Sequence, residues 1–283
     1  MSVPPDERRA QSLSNWEEAA GAWVRRYEEV REFAAPLTHW MLDAINPQPG
    51  ERVLELAAGL GETGLLAAEL VAPIGGVIIS DQAEAMLVGA RERAAALGLS
   101  NVEFRTLNAE WIDLPVASVD AALCRWGYML MVDPLAALLE TRRVLRPGGR
   151  LALAVWDRSE DNPWAALPAA ELRERGLVTP PETGAPGPFA LSDRERLREL
   201  IESAGFFELS IEPVELVRRH ASFDEYWEIT LDLSRVFHDA VLSRPQDEIE
   251  AIRSSLAARL APFTTPDGRI ELPAVSLAAS ASA

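Results

Sequence analysis

Val53-Leu54-Glu55-Leu56-Ala57-Ala58-Gly59-Leu60-Gly61-Glu62-Thr63-Gly64 is the stretch around which the rest of the chain is organised. The apolar run of Val53, Leu54 and Leu56 ends in small residues, and Leu65, Leu66 and Leu70 follow at helical spacing. The pattern predicts a buried strand, a tight turn and a helix, with Gly59 and Gly61 letting a ligand lie against bare backbone. Amide groups at the start of that helix, with its positive dipole end, favour electron-rich ligand atoms. The turn therefore reads as a nucleotide-type cofactor site. Gly59-x-Gly61-x-x-Gly64 also fits the dinucleotide fingerprint, with Asp81, 22 residues past Gly59, where a ribose-binding acid belongs. Glu55 pulls the other way. A carboxylate near the tip of the first strand suits a cationic or amino-bearing ligand better than a pyrophosphate.

Working outward, Gly75-Gly76 lead into a short strand, Val77-Ile78-Ile79-Ser80-Asp81. A carboxylate at its end can accept hydrogen bonds from both ribose hydroxyls, and it also stands where the helical run Ala83–Leu97 needs an N-cap. A third strand, Val102–Leu107, ends in Asn108-Ala109-Glu110-Trp111, and a fourth, Val119–Cys124, runs into Arg125-Trp126-Gly127. In an open α/β sheet these carboxyl ends face the ligand. Asp133-Pro134 opens a helix that closes at Leu145. Arg146-Pro147-Gly148-Gly149-Arg150 then turns into the strand Leu151–Val155, with Pro-Gly suited to a type II turn.

Glu55-x-Ala57-x-Gly59-x-Gly61 resembles motif I of the class I S-adenosylmethionine (SAM)-dependent methyltransferases, with alanine for the first glycine. Asp133-Pro134 followed by Arg142-Arg143-Val144-Leu145-Arg146-Pro147-Gly148-Gly149-Arg150 is similar to the end of the ubiquinone/menaquinone-type methyltransferase domain, so the resemblance covers residues 50–156. It implies an α/β, Rossmann-like fold: a seven-stranded, mostly parallel sheet with a helical cap or insertion. It also implies SAM as cofactor, S-adenosyl-L-homocysteine as product, and in-line methyl transfer to an oxygen, nitrogen or carbon of a small organic acceptor. Alignment and exclusion of water would be the protein's main task. By the same resemblance Glu55 with the Gly59 and Gly61 backbone holds the methionine end, Asp81 takes the ribose, and Met86, Asn108 and Ala109 frame the adenine. Ala57, Gln82, Glu110 and Cys124 complete the expected cofactor-binding set. The N/D-P-P-Y/F motif of enzymes acting on nucleobase or amide nitrogens is missing after strand four, where Cys-Arg-Trp-Gly looks like the small-molecule branch.

Composition bounds the alternatives. The chain has 283 residues, 48% of them hydrophobic, enough for one large domain or one domain with an insertion. A net charge of −17 argues against a nucleic-acid partner. All 27 basic residues are arginine, which excludes a lysine P-loop and Schiff-base chemistry. Cys124 is the single cysteine, so there is neither an intrachain disulfide nor a cysteine-rich metal site, and a buried strand-end thiol reads as packing rather than as a nucleophile. His39, His220 and His238 lack metal-ligand spacing; His220, after strand six, is the one candidate general base. Met1–Gln11 has no apolar core and no stretch of 18 apolar residues occurs, so a cytoplasmic protein without a membrane partner is expected.

The predicted organisation is an N-terminal helical lid over 1–49, a cofactor-binding core over 50–220, a helical insertion over 221–268 and a closing strand over 269–283. In the lid, Ser14 or Asn15 is the expected first cap, and Trp16, Ala19, Ala20, Trp23 and Tyr27 share a face. Residues 157–190, with six prolines from Pro163 to Pro188, form a long connection. The insertion reads as a helical pair, Ser222–Ser243 and Gln246–Arg259, whose apolar residues would equally serve a homodimer face. Two other functions fit parts of this pattern: an NAD(P)-dependent oxidoreductase and a non-catalytic SAM-binding protein.

Overall fold

The computed structural model describes residues 3–180, 182 and 184–283. Five strands, β1 (Arg52–Glu55), β2 (Gly76–Asp81), β3 (Val102–Thr106), β4 (Val119–Arg125) and β5 (Leu145–Trp156), run parallel. Val53, Leu54, Ile78, Ile79 and the run Ala121–Cys124 are almost wholly buried, as strands covered by helices on both faces require. The order is β3-β2-β1-β4-β5-β7-β6, with β7 (Ile270–Ser282) antiparallel to β5 and to the edge strand β6 (Phe207–His220). The order reverses between β1 and β4, and the crevice at that switch point is where ligands of open sheets sit.

The helices are α1 (Pro5–Arg25), α2 (Tyr27–Ile45), α3 (Glu62–Val71), α4 (Glu84–Ala96), α5 (Pro134–Val144), α6 (Pro163–Glu174), α7 (Arg194–Ser203), α8 (Phe223–Leu233), α9 (Arg235–Leu242) and α10 (Gln246–Leu260). α1 begins at Pro5, well before the expected cap at Ser14 or Asn15, because a proline fits a first turn whose N–H groups have no helical partner. Three helices, not two, separate β6 from β7. The Ser234 hydroxyl accepts the Phe237 N–H at 3.3 Å, and this cap divides Ser222–Ser243 into α8 and α9. Arg146–Gly149 lie inside β5 as a bulge rather than ahead of it as a turn. The register with β4 jumps from Val119↔Leu145 to Ala121↔Arg150, and Gly148 takes a φ of 74° there.

β6 and β7 pair from Phe207↔Ser282 to His220↔Ile270, whereas β5 stops at Trp156↔Ser276. The far half of the hairpin therefore runs on past the sheet by roughly 20 Å, at about 3.3 Å per residue. This arm carries α8–α10, and Tyr226, Trp227, Phe237, Ile252 and Leu272 give it a second apolar core that includes Leu172 of α6. A third cluster, Ala20, Tyr27, Leu60, Ala83 and Met86, joins α1 to α4.

Candidate active site

The turn after β1 is held by backbone on both sides. Leu56 N–H donates to Leu123 O at 2.8 Å and Ala58 N–H to Ser80 O at 2.9 Å, while the Ser80 hydroxyl donates to Glu55 O at 2.7 Å. Within it Ala57, Gly59 and Gly61 adopt left-handed φ values of 49°, 55° and 75°. Two of the three positions carry the residue for which that region is free of strain. Glu55 is buried, and its Oε2 accepts the Gly64 N–H at 2.9 Å, so the carboxyl ties the end of β1 to the first turn of α3. Burial outweighs the nearby Arg125 guanidinium and that N–H, and pushes Glu55 up to about 8.

Asp81, at the end of β2, accepts Gly59 N–H through Oδ2 at 2.8 Å and Ala83 N–H through Oδ1 at 2.9 Å. Two of the roughly four acceptor positions of an ionised carboxylate are thus used. Space in front of Gly59 is open: a Cβ built there meets nothing within 4 Å. Bare backbone beside a buried acid with acceptor capacity to spare fits a ribose-bearing ligand. Burial raises Asp81 above the usual carboxylate range against the pull of those N–H groups.

The other residues of the expected set make contacts of their own within the protein. Glu110 receives Val132 N–H on Oε1 at 2.8 Å and both Nε and Nη2 of Arg9 on Oε2, at 2.9 and 2.6 Å, so it fastens α1 to the loop after β4. Gln82 donates to the Ser12 hydroxyl of α1 at 3.0 Å. Met86 packs with Ala20 and Leu60 against Trp16 and Trp23. Asn108 accepts Glu110 N–H on one of the two lone pairs of Oδ1 at 2.9 Å, and the turn leaves Ala109 buried. Cys124 is a packing residue whose thiol burial pushes up to about 12; a Cβ on Gly127 would lie 2.6 Å from its Sγ. His220 sits at the far end of the arm, where burial and the Arg218 charge pull it down to about 4, leaving a poor proton acceptor at neutral pH.

Three features of the site come from segments that meet only in space. Glu17 of α1 accepts the N–H groups of Glu84 and Ala85 at 2.7 and 3.1 Å, capping α4 from outside its own chain segment. Arg125, closing β4, pairs with Glu62 at 2.9 Å and donates to Thr38 at 2.6 Å. Trp126, with φ 58°, donates Nε1–H to Ser276 at 2.9 Å and stacks on Trp156 at 4.3 Å between centroids, with Phe33 about 6 Å from both. The aromatic group stands next to the turn, since Gly127 touches Ala57. An arginine closing a buried strand and a tryptophan directly after it were the only local sign of it.

A family described as a methyltransferase domain matches residues 47–204, more than half of the chain. The chain belongs to this family. The dinucleotide-dehydrogenase reading of Gly59-x-Gly61-x-x-Gly64 is thereby replaced by the methyltransferase one. The ubiquinone/menaquinone biosynthesis C-methyltransferase UbiE of Cronobacter sakazakii is 29% identical over 175 residues, 58% of this chain and 70% of that protein. The aklanonic acid methyltransferase DauC of a Streptomyces species is 33% identical over 121 residues, covering 43% and 55%. The matched segments span between 34% and 70% of the lengths of the first curated relatives. Among solved structures, YcgJ of Bacillus subtilis superposes with a TM-score of 0.58 at 17% identity, over 87% of this chain and 97% of that one, which shows a shared fold. Among the described residues, no group of three or more His, Cys, Asp or Glu is placed to hold a metal ion, and no helix is long and apolar enough to cross a membrane.

Proposed function

We propose that this member of the family transfers a methyl group from SAM to a small organic acceptor. The observation that carries the reading is the adjacency of two unlike surfaces. Open backbone at Gly59 beside Asp81 meets, across the Ala57–Gly127 contact, an aromatic group built on Trp126 and Trp156. SAM supplies a methyl already activated by its sulfonium. Asp81 would hold the ribose hydroxyls through its spare acceptor positions, and Asn108 and Ala109 would border the adenine. Glu55 would act on the cofactor through the turn it anchors at Gly64, while α1, fastened at Ser12, Glu17 and Arg9, would keep water out. The relatives named for ubiquinone/menaquinone biosynthesis and for aklanonic acid support a small-molecule acceptor, and a cytoplasmic setting suits such chemistry. A proton acceptor is not required where alignment alone carries the in-line step.

Calorimetric titration with S-adenosylhomocysteine and NADH, on the native chain and on Asp81→Ala, tests the cofactor half. Micromolar binding of the adenosyl ligand that weakens at least tenfold in the variant is expected, as for loss of hydrogen bonds to a charged group. Binding of NADH in its place would overturn the reading.

A further inference from the structure

Among the described residues, Arg218 is a cation without a counter-ion. It lies on the arm, half-buried, with its guanidinium carbon 4.0 Å from the centroid of Trp164 and 4.4 Å from that of Phe33. Its Nε is fully buried and has no hydrogen-bond partner, and no carboxylate among the described residues pairs with it. Burial pulls the group down only to about 10, so it stays charged at neutral pH. Even a half-buried charge carries a desolvation cost unless it is paired, and stacking on two rings offsets only part of that cost.

Its neighbours share the deficit. On the same face of β6, both ring nitrogens of His220 are buried and unpartnered, and so is the hydroxyl of Tyr226, whose ring stands 5.3 Å from the imidazole. Half of the eight buried polar side-chain atoms that lack a partner among the described residues thus belong to these three residues. Buried polar groups in folded proteins are normally satisfied, and a cluster of orphans calls for a missing partner. The cluster is also continuous with the site. Phe33, which carries Arg218 on one side, stacks at 5.9 Å on Trp126, the residue before the Gly127 contact with the glycine turn.

We infer that Arg218, flanked by His220 and Tyr226, is an anchor for the acceptor, and that the acceptor is a flat conjugated molecule bearing a carboxylate. The carboxylate would receive two hydrogen bonds from the guanidinium, a geometry that arginine is shaped to give. His220 and Tyr226 would donate to its remaining lone pairs, and the ring system would lie along Phe33 and Trp164 towards Trp126. This assignment rests on the methyltransferase reading only for the word acceptor; the anion site stands on the orphaned atoms alone.

The test uses 2-naphthoate and its uncharged counterpart 2-naphthamide, titrated into the native chain saturated with S-adenosylhomocysteine and followed by tryptophan quenching and calorimetry. The carboxylate should bind at least tenfold more tightly than the amide. Arg218→Met, which keeps the length and removes the charge, should bring the two within twofold of each other. Arg218→Lys, which keeps a charge without the fork, should retain a preference at least threefold smaller than the native one, and it decides the matter should Arg218→Met not fold. Equal affinities on the native chain, no binding of either probe at millimolar concentration, or a preference untouched by the substitutions would overturn the inference. Failure of S-adenosylhomocysteine to bind, with the naphthoate preference intact in its absence, would instead sink the cofactor reading and leave the anion site standing.

Discussion

Ala57 and Gly127 face each other so closely that a Cβ on Gly127 would lie 2.7 Å from the Cβ of Ala57, and 2.6 Å from the Sγ of Cys124. The segment after β4 and the cofactor turn therefore touch with only the Ala57 methyl between their backbones. Ala57 itself sits at φ 49°, where a residue with a Cβ is strained.

Gly127→Ala should destabilise the fold by about 2 kcal/mol through overpacking. It should also displace the turn and weaken S-adenosylhomocysteine binding. Ala57→Gly removes both a strained Cβ and one of the two clashing atoms, so the double variant should recover part of the loss, with a coupling energy of about 1 kcal/mol. Denaturant unfolding of the four proteins measures this cycle. Strict additivity would show that the contact is not the source of the effect.

Glu55 makes stability depend on pH. Its folded value, about 8, lies above the 4.5 of an unperturbed glutamate. Below pH 4.5 both states are protonated and nothing is lost. Between 4.5 and 8 the unfolded chain ionises while the folded one holds its proton, so this group's contribution declines as pH rises. Glu55→Gln keeps an oxygen for the Gly64 N–H and does not titrate. Its stability relative to the native chain should grow between pH 5 and 8.5 by a few kcal/mol, at about 1.4 kcal/mol per pKa unit. Urea unfolding at both values checks this, and a constant difference would contradict it.

Arg9 and Glu110 latch α1 over the site, with the Glu110 side chain only 8% exposed. Arg9→Ala should cost about 1 kcal/mol or less in global stability, in line with partly exposed ion pairs. Amide hydrogen exchange over residues 5–20 should nevertheless speed up, and S-adenosylhomocysteine should dissociate several-fold faster. Unchanged exchange over that helix would show that Ser12 and Glu17 hold it without the latch.

How much of this was legible in the sequence follows from where each signal lies. The parallel strands and the glycine turn were readable because each is a short, continuous pattern: Val53–Leu54 buried, small residues next, then helical spacing. Asp81 was readable because its distance from Gly59 is a property of one βαβ unit. The commitments of Glu110 and Gln82 were not, since Arg9 and Ser12 lie about 101 and 70 residues away in the chain. The division of the insertion hung on a single cap at Ser234 inside an apolar run. The aromatic group draws Phe33, Trp126, Trp156 and Trp164 from four separate elements or loops, and only the sheet order brings them together.

The hairpin of β6 and β7 divides labour in the molecule. One end of that ribbon is hydrogen-bonded into the sheet beside β5, and the other carries α8–α10 with an apolar core of their own. On the proposed assignment, donor recognition is written in main-chain geometry near β1, and the acceptor's wall in side chains on an outrigger. If Arg218 anchors the acceptor as inferred, mutations along the outrigger would retune what is methylated without re-engineering how the methyl donor is held, and Val214–His220 would be the natural stretch for directed evolution of new acceptors.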